Sequence, residues 1–192
     1  MNTLIICDIQ RPYLSHRDET DVNYIRKVKH HLEKVKYDDY IIFYNGIQTC
    51  TSETKSSVEY FLTSGCKFPL DIVSKAKFYD KGCGYLANSI IDYNLPVEEV
   101  VYYSKVLYKN KKIATDLIEN NHFTRKFCPE VLRLKKFTLH PIIQTLDRYK
   151  IRNSPKFTLI GGSTDFCLME LELTLQTLDA SFTTLKELTY TS

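Results

Sequence analysis

An acid, a lysine and a cysteine each follow a segment of this chain suited to form a β-strand. Asp8 ends the apolar run Thr3-Leu4-Ile5-Ile6-Cys7. Lys81 follows Phe78-Tyr79-Asp80. Cys167 comes after Phe157-Thr158-Leu159-Ile160 and the turn Gly161-Gly162, at the head of a segment with leucines at helical spacing. In parallel α/β sheets, functional groups collect at the carboxyl ends of strands. A cysteine attacks a carbonyl only as its thiolate. A helix N-terminus and a nearby ammonium both favour that thiolate. A carboxylate within hydrogen-bond reach accepts the thiol proton. Backbone N–H groups in the first turn of a helix are donors for an oxyanion. The three residue types therefore point to nucleophilic attack by a thiol on a carbonyl.

The elements that must carry these residues are legible from periodicity. Thr3–Cys7 and Tyr40–Tyr44 read as buried strands, the second stopped by Asn45-Gly46. From Asp21, the residues Val22, Ile25, Val28, Leu32 and Val35 fall at helical spacing. Val58–Leu62 predicts a short helix closing near Gly65. Ile72–Tyr79 is a weaker strand candidate, and Gly84–Tyr93 reads as helix. Pro96 suits the first turn of the next helix. Residues 96–150 read as mostly helical. Phe157–Ile160 predicts a strand, Leu168, Leu171, Leu175 and Leu178 a helix, and Ser181–Tyr190 a final strand. Strands and helices alternate at both ends of the chain. That predicts a three-layer α/β/α fold with a mainly parallel, Rossmann-like sheet. One domain over 1–192 is expected, with a helical insertion at about 95–150.

Composition narrows the function classes. The 192 residues are 43% apolar and 26% charged, which suits a globular chain and excludes general disorder. No apolar run approaches the roughly 20 residues of a spanning helix. The opening Met1–Asp8 has neither a basic stretch nor a long apolar core, so no export signal is expected. The six cysteines, at 7, 50, 66, 83, 128 and 167, include no Cys-x-x-Cys pair. Free thiols in a cytoplasmic protein are the expectation. The net charge of +3 is too small to imply nucleic acid. Residues 101–136, however, hold nine Lys/Arg against three Asp/Glu. A solvated helical face explains that stretch; a phosphate-binding surface is its sharper reading. His16, His122 and His140 show no metal-ligand spacing, and His30-His31 lies on a charged helix.

Leu4-Ile5-Ile6-Cys7-Asp8-Ile9-Gln10 resembles the opening strand of the isochorismatase-like cysteine hydrolases, the nicotinamidase/isochorismatase superfamily. Tyr13 stands where an aromatic follows in that family. Leu159–Cys167 resembles their nucleophile segment, with Gly, then Thr164-Asp165, then Cys167. Phe78-Tyr79-Asp80-Lys81-Gly82 is similar to the lysine segment of the nicotinamidase branch. The resemblance implies a triad of Asp8 as base, Cys167 as nucleophile and Lys81 assisting ionisation. It also implies a cis peptide between Gly162 and Ser163, and an oxyanion hole from the Ser163 and Cys167 N–H groups. Lys135, in Lys135-Lys136-Phe137-Thr138, is a rival for the lysine; Lys81 is preferred for its strand-like lead-in and its separation from Asp8. Nicotinamidases hold a metal through histidines after strand two. Here Tyr44–Thr51 contains none, so no metal site and no cofactor is expected.

The leading expectation is a metal-independent cysteine hydrolase of small amide, ureide or related C–N bonds. Strand-end position alone makes Gln10, Tyr13, Asn45 and Thr164 candidates to bind the substrate. The competing expectation is the same fold binding a small metabolite or a protein partner without turnover. Nucleic-acid binding through 101–136 ranks below both. Members of the family it resembles are often oligomers, which makes a homo-oligomer an expectation, and no membrane partner is expected.

Overall fold

The structure is a computed structural model, and it describes residues 1–11, 13–14, 19–46, 53–81, 86–91, 94–109, 141–153 and 155–191. Five strands form one all-parallel sheet: β1 Asn2–Cys7, β2 Asp39–Tyr44, β3 Lys77–Asp80, β4 Lys156–Gly161 and β5 Phe182–Thr189. Their order is β3-β2-β1-β4-β5. Helices flank the sheet, so the class is three-layer α/β/α and Rossmann-like, as the alternating pattern predicts. The chain steps outward from β1 to β2 and β3, then returns to β4 on the other side of β1. The crevice beyond β1 and β4 is thus a topological switch point, where such sheets place ligands.

By contacts the chain divides into two units. The first comprises Met1–Cys83, Pro155–Leu168 and Ser181–Ser192 and contains the whole sheet. Its central strand β1 is buried from Thr3 to Cys7, as a strand flanked on both sides must be. Leu4 and Ile6 share one side of the strand. They pack with Tyr24, Ile25, Val28 and Leu32 of helix α1, Glu19–Lys34. Val35, which the periodicity included, lies beyond the helix and is exposed. Helix α2, Lys55–Tyr60, begins with a reciprocal cap. Thr54 Oγ1 accepts the Ser57 N–H and Ser57 Oγ accepts the Thr54 N–H, at 3.1 and 2.7 Å. A π-helical turn, Phe61–Gly65, continues it.

One expectation needs correction here. Ile72–Tyr79 is not a single strand: Leu70–Lys75 forms helix α3, and only Lys77–Asp80 is β3. The reason is local. The Pro69 carbonyl accepts from the Ile72 and Val73 N–H groups, Asp71 sits in the first turn and Lys75 in the last. Adjacent Ile72 and Val73 are both buried, which overrides their β-branched preference.

The second unit is Gly84–Ser154 with Met169–Ala180. It contains helices α4 Leu86–Ile91, α5 Val97–Lys109 and α6 Pro141–Asn153, and most of α7, Cys167–Thr177. Pro96 precedes α5 and its carbonyl accepts from the Glu99 and Val100 N–H groups. The buried Glu170 carboxylate accepts the Ala87 N–H at 2.8 Å. Lys105 and Lys109 both pair with Asp179. Of the expected insertion at 95–150, residues 110–140 lie outside the described residues. No described helix is long and apolar enough to cross a membrane.

Gly161 ends β4 with φ +111°, where side chains are rare. A Cβ there would stand 2.0 Å from the Cys7 carbonyl oxygen, which is fixed backbone. Gly161→Ala is therefore expected to destabilise the protein by roughly 2–4 kcal/mol. Urea unfolding of the variant against the wild type measures it.

Candidate active site

Hydrogen bonds lock the backbone of two candidates where the strands end. The Asp8 N–H donates to the Phe43 carbonyl and the Lys81 N–H to the Tyr44 carbonyl, both at 2.9 Å. Asp8 has φ +49°, a left-handed conformation that Asp tolerates better than most residues. It turns the chain out of β1 directly after the last buried strand residue. Cys167 is the first residue of α7. The Ser163 carbonyl accepts from the Phe166 and Leu168 N–H groups, at 3.2 and 2.8 Å, and so fixes where the helix begins. The peptide joining Gly162 to Ser163 is cis, at the position the resemblance implies.

The three side chains converge. The Lys81 ammonium lies 3.2 Å from Asp8 Oδ2, 3.3 Å from Cys167 Sγ and 2.9 Å from Asn45 Oδ1. Asp8 and Lys81 are each 1% exposed, and Cys167 is 9% exposed. Neighbouring parallel strands stand roughly 4.8 Å apart. Lys81 follows β3, two strands from β1, and only a long side chain spans that distance past the end of β2. Asn45, at the end of β2, meets it on the way.

Asn45 is itself held. Its N–H donates to Gln10 Oε1 at 2.8 Å, and its carbonyl accepts from Gln10 Nε2 at 3.1 Å. Its Nδ2 donates to the Tyr13 hydroxyl at 2.6 Å. Gln10 is fully buried and devotes its amide to Asn45. Tyr13 is half-buried. Thr164 is half-buried and tied to the C-terminal segment, its N–H donating to the Tyr190 carbonyl and its hydroxyl bonded to that of Thr191, both at 3.0 Å. Ser163 is 7% exposed. Lys135 lies outside the described residues, as do Cys50, Cys83, Cys128, His16, His122 and His140 and most of the basic stretch 101–136.

Two residues join the cluster that the sequence reading left in structural roles or did not single out. Cys7 is a buried free thiol whose Sγ lies 3.8 Å from Asp8 Oδ2. Tyr190, after β5, donates its hydroxyl to the Asp8 carbonyl at 2.7 Å. Nothing local in the sequence marks Tyr190, because its partner is 182 positions away.

Burial dominates the electrostatics of the cluster. Burial pushes the Asp8 carboxyl above the usual carboxylate range, against the pull of Lys81. The Cys167 thiol is pushed up to about 12, first by burial and then by the Asp8 carboxylate; the ammonium opposes both without prevailing. For Lys81, burial alone favours the neutral amine, but the Asp8 carboxylate and the thiols outweigh it and raise its pKa. The ammonium and the thiol therefore keep their protons at neutral pH, while burial favours the neutral Asp8 carboxyl and Lys81 its charged form. Among the described residues, Asp8 Oδ1 has no hydrogen-bond partner, and the Cys167 thiol and the carboxylate each perturb the other.

Among the described residues, no group of three or more His, Cys, Asp or Glu is placed to hold a metal ion. A separate cavity of about 300 Å³ is lined by Arg11, Glu53, Ser57, Tyr60, Phe61, Ser64 and Gly65, none of them in the cluster. No family model, curated protein or solved structure matches this chain.

Two outcomes follow from this charge arrangement. Lys81→Met leaves the Asp8 carboxylate buried without its cation, an expected loss of about 3–5 kcal/mol at neutral pH. Removing the ammonium raises the folded-state pKa of Asp8 further above its unfolded value. The folded variant then binds a proton more tightly than the unfolded chain, so its deficit shrinks as pH falls. Urea unfolding at about pH 5 and about pH 8 tests this sign. Asp8→Asn removes a group that raises the Cys167 pKa. Alkylation of Cys167 by iodoacetamide at about pH 7 is expected to be faster in Asp8→Asn than in the wild type, read by peptide mass spectrometry.

Proposed function

We propose that the protein is a cysteine hydrolase acting on a small amide, ureide or related C–N bond. The observation that carries this reading is the meeting of Asp8, Lys81 and Cys167 around one buried ammonium. The Cys167 proton passes to the Asp8 carboxylate, with which the thiol shares a side-chain hydrogen bond. Sγ attacks the substrate carbonyl carbon. The oxyanion is held by the Ser163 and Cys167 N–H groups, the donors the resemblance assigns. Collapse of the tetrahedral adduct breaks the C–N bond, and the leaving nitrogen takes the proton from Asp8. Asp8 next removes a proton from water, which attacks the thioester. The acid is released and Asp8 returns its proton to Cys167.

Lys81 is nearly equidistant from Asp8 Oδ2 and Cys167 Sγ, at 3.2 and 3.3 Å. Its ammonium therefore stabilises the negative charge before and after the proton moves. The raised pKa of Asp8 makes it a stronger base than an exposed carboxylate. Gln10 and Asn45 hold the lysine, and Tyr13 and Thr164 border the site. The reading assigns no metal and no cofactor, since the sequence from Tyr44 to Thr51 lacks histidine. It places the enzyme in the cytoplasm, as a homo-oligomer, on a small-molecule substrate.

The near-complete burial of the three groups favours a second reading, in which the fold binds a metabolite or a partner without turnover. A screen of small amides, ureides and carbamates separates the two. The hydrolase reading expects turnover that falls by about a thousandfold or more in Cys167→Ala. It also expects an acyl adduct on Cys167 by intact-protein mass spectrometry. Turnover that survives Cys167→Ala overturns the reading. Binding with neither turnover nor acylation across the screen favours the second.

A further inference from the structure

Tyr190 touches both sides of the proposed reaction centre. Its hydroxyl donates to the Asp8 carbonyl at 2.7 Å. Its N–H donates to the Gly161 carbonyl at 3.1 Å, and its carbonyl accepts the Thr164 N–H at 3.0 Å. Its ring lies against Gly162 so closely that a Cβ on that glycine would stand 2.6 Å from two ring carbons. The ring also meets Tyr24 edge-to-face, with centroids 5.2 Å apart. One residue thus bonds the base's backbone and brackets the loop that leads to the nucleophile.

Asp8 needs such a bond. Its φ of +49° is a sparsely populated conformation that persists only where the surroundings over-determine it. Its N–H is held by Phe43, while its carbonyl accepts from the Gln10 N–H at 2.9 Å and from Tyr190. The Gln10 bond is local and moves with the turn. The Tyr190 bond ties the turn to the far end of the chain.

We infer that Tyr190 is a positioning residue, which holds the Asp8 carboxylate at the Cys167 thiol by fixing the Asp8 backbone to the nucleophile loop. The inference rests on the hydrolase reading, in which Asp8 is the base. Tyr190→Phe keeps the ring against Gly162 and Tyr24 and removes only the hydroxyl. Asp8 is then free to relax toward an extended conformation, and its carboxylate leaves the thiol. The charged groups that bear on the thiol's titration are Asp8 and Lys81; the neighbouring Cys7 thiol and Tyr190 hydroxyl, both pushed up by burial, stay protonated.

The test is a double-mutant cycle read by iodoacetamide labelling of Cys167 at about pH 7. Wild type, Tyr190→Phe, Asp8→Asn and the double variant are compared, with Tyr24→Phe as a control for loss of a neighbouring buried hydroxyl. The expected result is a several-fold faster labelling in Tyr190→Phe, and no further change when the same substitution is made on Asp8→Asn. Equal acceleration in both backgrounds indicates general loosening and overturns the inference. So does Tyr190→Phe labelling at the wild-type rate while Asp8→Asn is faster; that result leaves the hydrolase reading standing. If Asp8→Asn itself labels at the wild-type rate, the Asp8 carboxylate does not bear on the thiol and this inference fails, while turnover against Cys167→Ala decides the hydrolase reading separately.

Discussion

A single ammonium buried between a carboxylate and a thiol is the constraint around which the rest of this structure is arranged. Moving a charge of that size out of water costs several kcal/mol even after relaxation. Lys81 is 1% exposed, so its cost must be met by partners at hydrogen-bond distance. Asp8 supplies the opposite charge and Asn45 a neutral acceptor. Those partners must in turn be fixed, because a buried pair is favourable only where its geometry is good. Gln10 therefore clamps the Asn45 backbone from both sides, and Tyr190 holds the Asp8 carbonyl. The polar network behind the cluster follows from the placement of one lysine.

Sheet topology decides which residues can take part. With β1 central, the ends of β2 and β4 lie beside Asp8, and the end of β3 lies one strand further out. A short side chain after β2 and a long one after β3 then reach the same point. Asn45 and Lys81 fill those two places. On the other side, β4 must stop against β1 and the chain must turn into a helix within a few residues. Gly161 permits that close approach to the Cys7 carbonyl, and Ser163 caps the helix that Cys167 begins.

The legible parts of this arrangement were those written locally. Asp8 and Cys167 each follow a buried strand with no intervening element, so strand-end logic found them. The parallel sheet followed from the alternation of short apolar runs and helical spacing. Helix α3 was misread because Ile72 and Val73 are β-branched, although Pro69 and Asp71 supplied helix-start signals. Gln10 and Asn45, substrate-binding candidates by strand-end position, bond to each other, and Asn45 also accepts from Lys81; partners 35 positions apart leave no pattern in sequence. Tyr190 was invisible for the same reason at greater range. The thiol's resting protonation is not written locally either. Proximity to an ammonium was legible, but the burial that outweighs it is a property of the packed structure.

That burial bears on how such a site would work. A cysteine paired with histidine stores an ion pair at rest, and its exposed thiolate is open to oxidants and alkylating agents. Here the cation is already paired with Asp8, and the thiol keeps its proton at neutral pH. Moving that proton to Asp8 creates no new net charge, since one negative charge shifts between two atoms that the same ammonium touches. The cost of forming the thiolate is then set by the difference in proton affinity between thiol and carboxyl. Desolvation raises both, the thiol to about 12. A substrate that expels the remaining water would raise both further. Burial thus makes the resting thiol unreactive and at the same time makes the Asp8 carboxylate a stronger proton acceptor than an exposed one.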